Sequence, residues 1–96
     1  MIRVEYHPGA LADAQHAFAW YAERSEAAAE CFEAELRRAA EFIALFPSAG
    51  SPGAGGTRRL LLHGFPHTFV YRFADGFVLV LAVAHERREP GYWRRR

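Results

Sequence analysis

The period of the apolar positions changes along this chain, and the changes mark its elements. Ile2 to Tyr6 alternates with Arg3 and Glu5, the period-two pattern of a short half-buried strand. His7-Pro8-Gly9 ends it, and Pro8 suits the first turn of a following helix, where its missing N–H is not needed. Leu11, Ala14, Phe18 and Tyr21 then recur at helical spacing, which predicts an amphipathic helix over 9–24 with these residues as its buried stripe. Ser25 is a suitable N-cap for a second helix, with Glu26 well placed in its first turn. Phe32, Leu36, Ala39, Ile43 and Phe46 mark the buried stripe of that helix, and Glu33 and Arg37 form an i,i+4 pair on its exposed side. So short a link predicts an antiparallel helical hairpin.

Glycine and proline between Pro47 and Thr57 predict a loop, which lacks the Gly-Lys-Ser/Thr ending of a phosphate-binding loop. Arg58 to His63 reads as a strand, and Gly64 to Pro66 as a turn. Pro66 to Ala74 and Phe77 to His85 read as a hairpin around Asp75-Gly76, a strong two-residue turn signal. The predicted fold is α+β, in the order β-α-α-β-β-β. A helical hairpin packs on one face of a small antiparallel sheet, in a single domain over 1–96 with a short tail from Glu89. A two-residue turn at Asp75-Gly76 pairs Arg72 with Leu79 and Thr68 with Val83. Phe69, Tyr71, Phe73, Val78, Val80 and Ala82 then share the face expected to meet the helices. Thr68, Val70, Arg72, Leu79, Leu81, Val83 and His85 share the opposite face, expected to be open. On pattern alone, the alternative is that the chain covers both faces itself.

Composition adds limits. A chain of 96 residues with 51% apolar content can bury one core and is not disordered. The lone cysteine, Cys31, excludes a disulfide framework, favours a reducing cytoplasmic setting, and reads as a small buried thiol. No leader-like apolar run follows the start, and the longest apolar stretch, Phe77 to Ala84, is too short to cross a bilayer. The net charge of +1 conceals a segregation: residues 1–56 hold four Arg and eight acids, residues 57–96 eight Arg and three acids. There is no lysine. Arginine's rigid fork suits phosphates and carboxylates, so the basic part implies an acidic partner surface. The acids from Glu23 to Glu41 read as the solvated face of the helices. The histidines lack the spacing of a metal site; His63 and His67, which flank a turn, are the nearest approach to one. No metal or cofactor is expected.

The densest chemistry lies in His85-Glu86-Arg87-Arg88-Glu89-Pro90-Gly91-Tyr92-Trp93, which Arg59 and Arg72 could join across the sheet. An imidazole, guanidiniums and two aromatics can grip a phosphodiester and stack a base, and His85 could move a proton in RNA cleavage. The alternative is that Pro-Gly-Tyr-Trp only folds the tail onto the core.

Several phrases together resemble the RelE/ParE toxin superfamily over nearly the whole chain. They are Ala17-Phe18-Ala19-Trp20-Tyr21, Phe32-Glu33-Ala34-Glu35-Leu36, Arg58-Arg59, Gly64-Phe65-Pro66-His67 with Val70-Tyr71-Arg72, and the tail from Ala84 to Trp93. The resemblance implies the same element order and the toxin of a type II toxin–antitoxin pair, of plasmid-stabilisation type, held in a hetero-oligomer by its antitoxin. RelE-like members cut mRNA in the ribosome with several Lys and Arg residues and often a C-terminal Tyr. ParE-like members inhibit DNA gyrase by protein contact, without catalysis. The absence of lysine and Thr68, at a strand position where the nuclease branch usually offers Arg, depart from the RelE pattern. Phe65-Pro66 and the tail look more ParE-like. The favoured expectation is therefore a gyrase-directed toxin whose partner surface comprises Arg59, Arg72, His85, Arg87, Arg88, Tyr92 and Trp93. The alternatives are a ribosome-dependent endoribonuclease using His85, Arg87 and Tyr92, and a non-toxic binding module.

Overall fold

A computed structural model describes residues 1–96. Strand β1 (Arg3–Tyr6) leads into helix α1 (Pro8–Arg24), where His7 caps the first turn by accepting from the Gly9 N–H at 2.9 Å. Ser25 ends α1 and caps helix α2 (Glu26–Leu45), accepting from the Ala28 N–H at 3.1 Å. Glu33 and Arg37 form the expected pair, at 3.3 Å. The hairpin carries the chain to the far edge of the sheet. The meander β2 (Ser51–Pro52), β3 (Thr57–Leu61), β4 (His67–Ala74) and β5 (Phe77–His85) then walks back until β5 lies beside β1. The sheet order is β1-β5-β4-β3-β2, antiparallel except for the parallel β1–β5 pair.

The expected α+β fold is therefore present, with one strand more than expected. Pro47–Thr57 is not a bare loop: it contributes β2 and a turn at Ala54–Gly56, held from inside the core. The buried Tyr71 hydroxyl donates to the Pro47 carbonyl and accepts from the Gly50 N–H, both at 2.9 Å. A Cβ on Gly50 would sit 2.7 Å from that hydroxyl, so the close approach requires glycine.

The core under the helices joins Phe32, Ala39 and Ile43 to Leu62, Phe69, Tyr71, Val78, Val80 and Val83, with Ala10 and Ala14 at the contact of α1. Full burial of each large side chain contributes on the order of 2–3 kcal/mol. The buried stripe of α1 keeps Ala14 and Tyr21 of the four expected residues. Ala10 and Ala14 face the sheet, while Leu11 and Phe18 are exposed, because small residues let the helix lie close to β5. Phe46, expected inside, is exposed as the last residue of α2's turn, and Cys31 is exposed, not buried. Glu35, expected in solvent, is buried. It holds Arg38 at 2.7 Å and accepts from the His63 N–H at 2.6 Å, tying α2 to the turn before β4.

The hairpin turn forms as expected, with Asp75 and Gly76 both at positive φ and Arg72 opposite Leu79. The register then changes: Tyr71 pairs with Val80, but Val70 pairs with Ala82, leaving Leu81 as an extra residue. This bulge reverses the facing of everything after it on β5. Thr68 lies opposite Ala84, not Val83, and Val83 joins the helix-side core. Ala82 joins Val70, Leu81 and Ala84 on the other face, where Trp93 of the tail covers them. The face expected to be open is closed by the chain itself.

Candidate partner-binding site

Strand β1 pairs with only the first part of β5, from Phe77 to Val80. The backbone of β5 beyond that point would be a bare edge, and side chains close it. Asp13 of α1 accepts from the Val83 N–H at 3.2 Å, and the Arg96 guanidinium donates to the Leu81 carbonyl at 2.9 Å. Asp13 and Arg96 are themselves joined at 2.8 Å, and the Tyr92 hydroxyl donates to the same carboxylate at 2.9 Å. Both ends of the ion pair are largely withdrawn from water, at 9% and 19% exposure. A Cβ on Gly9 would collide with the Arg96 guanidinium, so the glycine makes room for the tail. Burial, and then the hydrogen bond and negative charge of Asp13, push the Tyr92 hydroxyl up to about 12.

This anchor leads into a turn at Tyr92–Arg95, entered through Gly91 at φ 76°, that lays Trp93 on Val70, Leu81, Ala82 and Ala84. Around Trp93 lies a groove of about 260 Å³ lined by Thr57, Arg59, Arg72 and Arg94. Arg59 approaches the Trp93 ring at 5.7 Å, a weak cation–π contact, and Arg72 donates to the Gly55 carbonyl at 3.1 Å. No carboxylate reaches these guanidiniums. The ion pairs of the protein are Arg3–Glu5, Arg24–Glu23, Arg37–Glu33, Arg38–Glu35 and Arg96–Asp13. Among the arginines of residues 57–96, Arg96 alone has an acidic partner. The rest present an uncompensated positive surface.

A second concavity, of about 490 Å³, lies on the helix side between α1 and the end of β5. Trp20, Tyr21, His67, His85, Arg88 and Tyr92 line much of it, and Arg88 stacks on the Tyr92 ring at 3.9 Å. His67 is buried, and its pKa is pushed down to about 4, by desolvation first and then by the nearby His85. The His67 and His85 rings meet edge to face at 5.0 Å.

The residues singled out from sequence thus separate into two places. Arg59, Arg72 and Trp93 share the groove with Arg94. His85, Arg88 and Tyr92 share the helix-side cavity, because the bulge turns His85 away from Arg72. Arg87 lines neither and is exposed on the turn after β5, where its N–H donates to His85 Nδ1 at 3.0 Å. Asp13 and Arg96, which anchor the tail, escaped sequence reasoning. A signal existed: Asp13 falls three residues after Ala10 and four before Ala17, inside a helix stripe of small residues. No cluster of three or more metal-ligating side chains exists in the structure, His63 and His67 included. No helix is long and apolar enough to cross a membrane.

Residues 4–90 match the family described as the ParE toxin of the type II toxin–antitoxin system parDE. Among solved structures, a chain from the chromosomal ParDE toxin–antitoxin system of P. aeruginosa has the same fold, with a TM-score of 0.76. The likeness covers 88% of this chain and 96% of that one, at 19% identity. No curated protein sequence matches the chain.

Proposed function

From the premise that this chain belongs to the ParE toxin family, we propose that it inhibits DNA gyrase by protein contact and is neutralised by a cognate antitoxin. The observation that carries this reading is the groove around Trp93, where Arg59, Arg72 and Arg94 stand without carboxylate partners. A guanidinium left unpaired on a rigid sheet is ready to take carboxylates from another chain, and charge complementarity of this kind speeds encounter and fixes register. An antitoxin with an acidic, partly apolar segment supplies the missing charges. The exposed Leu11, Phe18 and Trp20 of α1 and Phe42, Leu45 and Phe46 of α2 offer apolar anchors beyond the groove.

The state of Tyr92 supports contact over catalysis. Its hydroxyl is engaged by Asp13 and its pKa is pushed up to about 12, which makes it a poor general base near neutrality. Of the groups expected of a nuclease, His85 and Tyr92 line the helix-side cavity, whereas Arg87 lies outside it. Purified protein added to gyrase and supercoiled DNA is expected to accumulate cleaved DNA, and to leave mRNA intact on programmed ribosomes. Codon-specific mRNA cuts with normal supercoiling would replace this reading with the endoribonuclease. Unimpaired growth on expression without an antitoxin would leave the non-toxic binding module.

A further inference from the structure

The helix-side cavity is a feature that partner contact at the Trp93 groove does not use. Its volume, about 490 Å³, falls in the range of small-molecule sites. Its walls are apolar and aromatic: Ala17, Trp20, Tyr21, Pro66, Val83 and Tyr92. Its polar groups are specific in what they leave unmet. Asp13 is saturated by Val83, Tyr92 and Arg96, so the one carboxylate in the lining is spent within the fold. His67, 6% exposed, has an Nδ1 with no hydrogen-bond partner at all. That nitrogen is itself sealed from the cavity, so the free polar contacts come from the other groups of the lining. His85 Nδ1 accepts from the Arg87 N–H, which puts the proton of the neutral ring on Nε2 and makes that atom a donor. Arg88, stacked flat on Tyr92, adds a guanidinium with no acidic partner.

A pocket with aromatic walls and an excess of unfilled donors selects a planar apolar body carrying an anion. We propose that this cavity binds a small aromatic carboxylate, with the ring against Trp20, Tyr21 and Tyr92 and the carboxylate held by Arg88 and His85. Occupancy would sit beside the Asp13–Arg96 anchor, through which a ligand could stiffen the tail that carries Trp93.

The two tryptophans make the test internal. Trp20 lines the cavity, and Trp93 lies on the other face of the sheet. In a titration of the full chain with 2-naphthoate, followed by nitrogen-15 spectra of the histidine rings and indoles, His67, His85 and Trp20 are expected to shift saturably while Trp93 shifts little. Naphthalene-2-carboxamide, the neutral isostere, is expected to bind about tenfold more weakly, the loss of one charge-assisted contact. Arg88→Gln, on the exposed rim, is expected to cost naphthoate about the same factor and the amide little. Absence of saturation at millimolar naphthoate, equal affinity for the amide, or shifts centred on Trp93 would overturn the assignment.

Discussion

The two faces of the sheet are closed by different means. The helix face is sealed by two helices over a continuous aromatic and aliphatic layer, and its one buried carboxylate on α2, Glu35, is matched by Arg38 and a backbone N–H. The other face is sealed by a single indole on a short turn, anchored at the edge of β5 by Asp13 and Arg96, and ringed by arginines with no acid to meet them. Packing on the first face serves stability. On the second, stability rests on one anchor, and the remaining charge is uncompensated within the protein, which is what the proposed partner contact draws on. Binding surfaces carry this kind of uncompensated charge because it is satisfied only in the complex.

The largest break in this comparison is expected from Phe32→Ala. The ring is fully buried against Tyr21, Phe65 and His67, and its loss leaves a cavity costing about 4 kcal/mol in a urea-unfolding measurement. A cost below about 1 kcal/mol would mean that the helix face is not the stabilising one.

Asp13→Ala tests the other face. It strands Arg96, the Tyr92 hydroxyl and the Val83 N–H together, and is expected to cost about 3 kcal/mol. The amide of Val83 and the Trp93 indole should lose hydrogen-exchange protection while Tyr71 and Ile43 keep theirs. If protection falls evenly over both faces, the tail is not a separately anchored unit.

Acid separates the faces without mutation. Desolvation and the neighbouring His85, opposed by Asp13, depress the folded-state pKa of His67 to about 4 from an ordinary 6.5. Between these values the unfolded chain binds the proton more readily. Stability is therefore full above pH 6.5 and falls by up to about 3 kcal/mol as pH drops toward 4. Glu35, held below its ordinary range chiefly by Arg38, adds a second loss of the same sign as pH falls through its folded-state pKa. Both groups lie on the helix side of the sheet, away from the groove around Trp93. Unfolding midpoints measured from pH 7 to 4 should show this decline, and His67→Phe should flatten its upper part.

Much of this architecture was legible in sequence because local chemistry dictates it. Ser25, Asp75-Gly76 and the apolar runs of β4 and β5 each demand one local structure. The bulge at Leu81 left no such mark: nothing in Phe-Val-Leu-Val-Leu-Ala-Val-Ala distinguishes a register with an extra residue from one without. That single residue moved His85 from the arginine groove to the helix-side cavity and split the expected site in two. The anchor was equally silent, because an aspartate in α1 and the last arginine meet only once the edge of β5 is in place. The α1 stripe departs from the expected one at Leu11 and Phe18 for a simpler reason: close helix-to-sheet packing selects alanine over larger apolar side chains.

The most direct test of the division between the faces is the triple variant Arg59→Gln, Arg72→Gln, Arg94→Gln in the gyrase cleavage assay, with thermal unfolding measured alongside. None of the three guanidiniums has an acidic partner, and the set gives up little beyond the Arg72 bond to the Gly55 carbonyl, so the midpoint should move by no more than about 6 °C. Three interfacial cations removed together should lower the cleaved-DNA signal by about a hundredfold or more in potency. A variant that is equally stable and equally potent would contradict the assignment of this face to partner binding.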